Sequence, residues 1–530
     1  MKIFCLAIIW VSLCLHFSNA QPTFQKTYGG SNTDFAYAVQ RTTDDGYIVT
    51  GFTQSFGAGS RDVSLIRTDR HGNTIWTKIY GGSDTDYGWT VQQTSDGGFI
   101  IGTHSGSFGV GSHDVLLIKT NAIGDILWTK VYGGSSADGA YSLQQTADGG
   151  YIIAAHTNSF GAGMHDIYLI KTDANGDTVW TKTYGAGSQD YLRAVQQTAD
   201  GGYIMVAHSD GFGAGSSDVY VVRANENGDT LWTRSYGGSG GDFGYSIRQI
   251  IDGGFIIAGY TSSFGAGRSD VYLLKIDGDG DISWAKTYGG SAADYGYSVR
   301  QTSDRGFIIA GQTFSFGANG DVYLIRTDTE GNLLWSYAYG GAAEDKGWSV
   351  QQANDGGYII AGHTASFGEG GADIYLIKTD LNGDSGCNQI ATATEVSDAS
   401  TTINPTRTSV GAGAVENSAA TIITNTAITE TLLCQTVTGL HEEKSSPENI
   451  LQIYPNPLNS RATLTIPNIE QYPSGLKIVI YDILGREVRR IENIRTGEIE
   501  ISRDNLSGGV YLYKVLHEKD VLQTGKIMIR

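Results

Sequence analysis

The chain has 530 residues, with 55 acidic against 36 basic side chains and a formal charge of −19. That balance excludes nucleic-acid binding through a basic face, because phosphate contacts need clustered Lys and Arg. Glycine is abundant at 73 and proline scarce at 7, which with 11% aromatic residues points to many tight turns between strands rather than to disorder.

The N-terminus reads as a secretory signal peptide over 1–20. Lys2 is basic, residues 3–17 are apolar, and Ser18, Asn19 and Ala20 precede a cut before Gln21. No later segment is apolar enough to cross a bilayer, so no transmembrane anchor is expected.

From 22 to 384 one unit of about 52 residues recurs. Tyr28, Tyr80, Tyr132, Tyr184, Tyr236, Tyr288 and Tyr339 each precede glycine, 52 residues apart five times and then 51. Phe24 or a tryptophan (Trp76 through Trp335) stands four positions upstream. Self-similarity at such a period means stacked supersecondary units. One unit holds strand-like runs at 141–146, 151–157, 166–172 and 178–184. The second run is apolar throughout, as in a strand covered on both faces. Four-stranded units covered by their neighbours are propeller blades, so the expected fold is all-β, a seven-bladed β-propeller.

Turn chemistry sets the phase. Gly176, in the turn after Asp173, supplies the positive φ of a tight hairpin, so the Trp-bearing run pairs within its own blade. The last repeat has only three runs, and Cys387 stands where its tryptophan belongs. The missing strand is available at 23–28, and the N-terminal strand is expected to close the last blade against 373–379.

Residues 385–445 read as a Ser/Thr/Ala-rich connector with some strand-like alternation. Cys387 and Cys434 are the two cysteines left after loss of the signal, and in an exported chain they are expected to form a disulfide.

Beyond 450 come Ile453-Tyr454-Pro455-Asn456-Pro457, then Ile478-Val479-Ile480-Tyr481-Asp482-Ile483-Leu484-Gly485-Arg486. Leu506-Ser507-Gly508-Gly509-Val510-Tyr511 and the ending Lys526-Ile527-Met528-Ile529-Arg530 follow. Over 450–530 this resembles the type A sorting domain of the Por, or type IX, secretion system. The resemblance implies a small Ig-like β-sandwich read by the type IX translocon and sorting machinery. It also implies a location outside the cell or on the outer-membrane surface, after export through the periplasm. Period-two runs at 477–481 and 510–515 agree with a sandwich. The repeats resemble Asp-Gly-Gly-Phe/Tyr-Ile-Ile-x-Gly repeats of exported bacterial proteins of unknown function, some of which carry endoglucanase-like labels.

Two sets of repeated aspartates, beginning at Asp34 and Asp62, fall in the longer loops of one rim. Asp bonds backbone amides in turns, and repeats copy whatever holds a loop, so these read as scaffold. Positions that vary between repeats are better ligand candidates. Three residues after the first Asp stand Tyr37, Trp89, Tyr141, Arg193, Tyr245, Tyr297 and Trp348. Aromatic faces suit sugar rings; the competing reading packs them between blades. At the end of the second strand stand His104, His156, His208 and His363, which in a ring should stay apart and serve structure rather than bind metal. No cofactor is expected. Asp277-Gly278-Asp279-Gly280-Asp281 resembles the start of a calcium loop but lacks its distal Glu, so calcium is only a minor alternative.

The reading that follows is a binding module on the surface or secreted, with a glycan or protein ligand at Trp89, Trp348, Tyr141, Arg193, Tyr245 or the histidines. The alternatives are a propeller glycoside hydrolase using two carboxylates, or a structural surface protein without ligand.

Overall fold

The computed structural model describes residues 22–405, 409–411, 416–417, 422–425, 429–437, 452–454, 461–465, 476–481, 486–503, 506–517 and 520–529. The signal-peptide reading of 1–20 and the Pro455-Asn456-Pro457 motif fall outside them. The described residues form strands and turns and no helix. They divide into two units, Met1–Thr438 and Gly439–Arg530.

In the first unit, four antiparallel strands succeed one another by hairpins and repeat. Sheet 1 holds Asp34–Arg41, Tyr47–Thr53, Asp62–Thr68 and Thr74–Gly81, and five further sheets copy it up to Leu333–Tyr339. Sheet 7 takes Asp345–Gln352, Tyr358–Thr364 and Asp373–Thr379 from the last repeat and Pro22–Gly29 from the N-terminus. This is the closure expected from the turn phase: Phe24 pairs with Lys378 and Tyr28 with Ile374. The innermost strand of each sheet packs on those of both neighbours, and Asp34–Arg41 packs on Asp345–Gln352, so the array closes on itself. The middle strands of each sheet are buried almost end to end, which accounts for their uninterrupted apolar sequences.

One contact recurs at every sheet boundary. The hydroxyl of each repeated tyrosine donates to the carbonyl of the turn glycine of the next sheet. Tyr28 reaches Gly72, Tyr80 Gly124 and Tyr288 Gly331, each at 2.6 Å. Tyr184 reaches Gly228 at 2.5 Å, Tyr236 reaches Gly280 at 2.7 Å, and Tyr132 bonds Gly176. Tyr339 reaches Gly383 at 2.6 Å, so the last repeat keeps its turn although its fourth strand comes from the other end of the chain. The glycine after the tyrosine is required by close approach: a Cβ on Gly81 would lie 1.9 Å from Asp62 Oδ1 and 3.0 Å from Asp86 Oδ2.

The segment after the repeats corrects the expectation of a connector beside four-stranded blades. It adds a fifth, outermost strand to each of the seven sheets. Gln389–Ala391 pairs in sheet 6, Glu395–Asp398 in sheet 5, Thr402–Pro405 in sheet 4 and Ser409–Gly411 in sheet 3. Glu416–Asn417 pairs in sheet 2, Ile422–Asn425 in sheet 1, and Thr429–Val437 on the closing strand Pro22–Gly29 of sheet 7. The segment is therefore a belt that makes one circuit of the ring and caps the edge strand of every sheet. Its two ends are joined by the Cys387–Cys434 disulfide, with Cα atoms 6.1 Å apart. The closing strand is tied in at the same place. Gln25 Nε2 donates to Ser385 Oγ at 2.8 Å and to the Cys387 carbonyl at 2.5 Å, and Lys26 pairs with Glu430.

The second unit has a three-stranded sheet (Gln452–Tyr454, Arg461–Thr465, Glu498–Ser502) and a four-stranded sheet (Glu487–Ile494, Leu476–Tyr481, Gly509–His517, Asp520–Ile529). Ile501 of the first and Leu476, Ile478, Ile480, Val515 and Ile527 of the second share one core, so this unit is a two-sheet sandwich.

The disulfide closes a loop whose ends are 47 residues apart. In the chain-entropy model such a loop stabilises by about 4 kcal/mol. Cys434→Ser should lower the denaturant midpoint accordingly and make 389–437 the first site of limited proteolysis. An unchanged midpoint and cleavage pattern would contradict the belt's role.

Candidate functional site

The innermost strands surround an axial cavity of about 270 Å³. Each of these strands carries a β-bulge at the same place. The ladder skips one residue between Ala36 and Ala38, between Gly88 and Thr90, and at the equivalent step in the other five sheets. The skipped residue is in every case the variable one: Tyr37, Trp89, Tyr141, Arg193, Tyr245, Tyr297 or Trp348. A bulge re-aims its side chain, and these seven all line the cavity. They are not on the loop rim, where the strand start would place them.

The seven side chains form a closed collar. Trp89 stacks on Tyr37 with ring centroids 4.0 Å apart and meets Tyr141 edge-on at 5.0 Å. The Arg193 guanidinium lies 4.8 Å from the ring centres of both Tyr141 and Tyr245. Tyr245 meets Tyr297 at 5.1 Å, Tyr297 meets Trp348 at 4.5 Å, and Trp348 returns to Tyr37 at 5.7 Å. These residues touch across every sheet boundary, as the packing reading expects, and they also face the cavity. The Trp89 and Trp348 indole N–H groups and Arg193 Nε have no hydrogen-bond partner among the described residues. Lys346 lies 4.1 Å from the Trp348 ring centre, and burial pushes its ammonium down to about 8.

The histidines pack behind the collar. His363 stacks on Phe35 of the next sheet at 3.7 Å, and His208 meets Phe243 at 4.9 Å. His104 and His156 are in contact, with ring centroids 5.4 Å apart, which corrects the expectation that they stay apart. Each belongs to a different sheet but leans toward the boundary between them. Among the described residues no three His, Cys, Asp or Glu side chains are grouped to hold a metal ion. Burial holds His156, His208 and His363 down to about 3, and His104 well below the usual histidine range.

The repeated aspartates hold loops. Asp86 Oδ2 accepts from Gly82 N at 3.0 Å and Ser107 Oγ at 2.7 Å, and Asp114 Oδ2 accepts from Gly111 N at 2.9 Å. The same bonds recur at Asp138, Asp242, Asp294 and Asp345 and at Asp166, Asp218 and Asp270. Burial, with Asp86 nearby, raises the Asp62 carboxyl to about 6.

A second ring escaped the sequence reading. Three residues beyond the collar, the inner strands carry Gln40, Gln92, Gln144, Gln196 and Gln351 but Arg248 and Arg300 in sheets 5 and 6, all lining the cavity. Each glutamine Oε1 accepts a main-chain N–H of the next sheet, as from Gln145 at 2.6 Å, Gln197 at 2.8 Å and Gln249 at 2.7 Å. The signal was present in the sequence as a repeated Gln that turns to Arg twice.

This architecture defines the first unit as a β-propeller. Residues 452–530 match the family described as a secretion system C-terminal sorting domain. Such a domain implies export, handling by the secretion machinery, and a surface or extracellular location. Among the described residues no helix is long and apolar enough to cross a membrane. The chain is similar to the regulatory protein FlaEY of Caulobacter vibrioides, 25% identical over 294 residues, or 50% of this chain and 28% of that protein. It thus spans less than a third of that relative. A crystal structure of puromycin hydrolase aligns at 12% identity and a TM-score of 0.39 over 66% of this chain and 52% of that one. The endo-1,5-alpha-L-arabinanase of Thermotoga petrophila aligns at 13% identity and a TM-score of 0.24 over 68% of this chain and all of its own.

An unfolded histidine titrates near 6.5, whereas His208 stays neutral to about 3 when folded. The stability this contributes is complete above pH 6.5 and is lost as pH falls toward 3. In His208→Gln, which borrows the residue at Gln312, the stability relative to wild type should rise by up to about 2 kcal/mol between pH 7.5 and pH 5. Melting curves across that range check it; a difference independent of pH would contradict it.

Proposed function

We propose that this is an exported binding protein that takes a glycan in its axial cavity, with residues 1–20 directing passage across the inner membrane and the C-terminal domain directing type IX secretion. The observation that carries the reading is the collar. Six aromatic side chains and Arg193 are turned by bulges into one cavity, with indole N–H groups left unpaired beside them. Aromatic faces pair with the C–H faces of sugar rings, and free N–H donors take hydroxyls. The described residues lining the cavity offer aromatic faces, amides, hydroxyls and guanidiniums and include no carboxylate. Glycoside hydrolysis uses a pair of carboxyls about 5–10 Å apart across the scissile bond, so this lining favours recognition.

A glycan array probed with the full chain, followed by calorimetry on the best binder, tests this. Replacing Trp89 and Trp348 by Ala together should weaken binding at least about tenfold, about 1.4 kcal/mol, with the protein still folded by its melting curve. Binding unchanged by that pair, or no binding to any glycan, would overturn the reading.

A further inference from the structure

The charge inside the cavity is opposite to that of the protein. The chain carries −19 overall, yet the described residues lining the cavity include three arginines and no acid. Arg193, Arg248 and Arg300 come from consecutive sheets 4, 5 and 6. Trp89 comes from sheet 2, across the ring from sheets 5 and 6, and Trp348 from sheet 7, next to sheet 6. None of the three arginines forms a salt bridge among the described residues. By contrast, the repeated Lys or Arg of every third strand is paired with an Asp of its own sheet, as Lys119 is with Asp96 at 2.9 Å.

Arg248 and Arg300 also cost the ring something. At five boundaries the residue in this place is glutamine, whose Oε1 accepts a main-chain N–H of the next sheet. Arginine has no acceptor, so this link is missing at the two boundaries that follow sheets 5 and 6. In its place, among the described residues, each guanidinium makes one hydrogen bond, from Nη1 to the carbonyl of the preceding residue at 2.8 Å. Arg248 and Arg300 stand at equivalent places on innermost strands that pack on each other, and both line the cavity. Burial and the Arg248 charge hold Arg300 well below the usual arginine range. Two adjacent guanidiniums in a confined space, each with unused donors, are the arrangement that binds an oxyanion.

We infer that Arg248 and Arg300 form a paired anion site at the far end of the axial cavity, and that the glycan this protein binds is an acidic one, with its carboxylate or sulfate on these two guanidiniums and its sugar face toward the tryptophans. The ligand class rests on the glycan reading above; the anion site does not.

The test compares wild type with the double variant Arg248→Gln/Arg300→Gln, which restores the residue that the other five sheets use and should fold at least as stably. Three probes are used at constant ionic strength: inorganic sulfate, hexagalacturonate and neutral cellohexaose. Sulfate should raise the melting temperature of wild type more than that of the variant. Hexagalacturonate should bind wild type at least about tenfold more tightly than cellohexaose, and the variant should lose that preference. Equal response of the two proteins to sulfate would overturn the anion site. Equal binding of the two saccharides by wild type would overturn the acidic ligand and leave the glycan reading in place. A sulfate effect confined to wild type, with no saccharide bound, would uphold the anion site and overturn the glycan reading.

Discussion

Everything in the first unit depends on sheets that cannot bury their faces alone. Each is covered on both sides only because its neighbours stand beside it, so the array is stable only when it closes. The recurring bond that registers the boundaries runs from a buried tyrosine hydroxyl to the turn carbonyl of the next sheet. A buried hydroxyl without a partner is costly, so a sheet that shifts past its neighbour loses this bond as well as apolar contact. That double role explains why Tyr-Gly recurs in every repeat. The tyrosine holds the next sheet, and the glycine makes room for two carboxylates that hold loops.

Closure is reinforced twice over. The N-terminal strand completes sheet 7, and the belt then pairs with the outermost strand of every sheet, ending on that same N-terminal strand. A four-stranded blade exposes one edge to pairing with other chains; here the belt takes that edge in all seven sheets. Gln25, Ser385, Cys387 and Cys434 meet at one point, so the ends of the ring and of the belt are fastened together.

Much of this was legible from residues. The period, the turn glycines and the absent seventh tryptophan were enough to place the strands and to assign Thr23–Tyr28 to the last sheet. The belt was not legible, because its strands are two to four residues long over most of its course and the belt's partners lie up to 415 residues away (Pro22 and Val437), with no periodic signal of their own. The collar was half legible. Tyr37, Trp89 and their equivalents stand out as variable positions, but simple alternation along the strand cannot reveal a bulge that turns them to the axis. The Gln/Arg ring was overlooked because glutamine beside another glutamine looks like ordinary strand surface.

The contrast between copied and uncopied residues is what gives the cavity its meaning. Aspartates and tyrosines repeat because every boundary has the same mechanical need. The collar and the Gln/Arg ring vary because one cavity is shared by all seven sheets and requires different groups on its different sides. The central claim is that the ligand lies on the axis, between tryptophans and paired arginines. The most direct measurement is a crystal structure of the full chain with hexagalacturonate. The account predicts density in the axial cavity, with a carboxylate on Arg248 and Arg300; density confined to the aspartate-bearing loops or to the belt would contradict it.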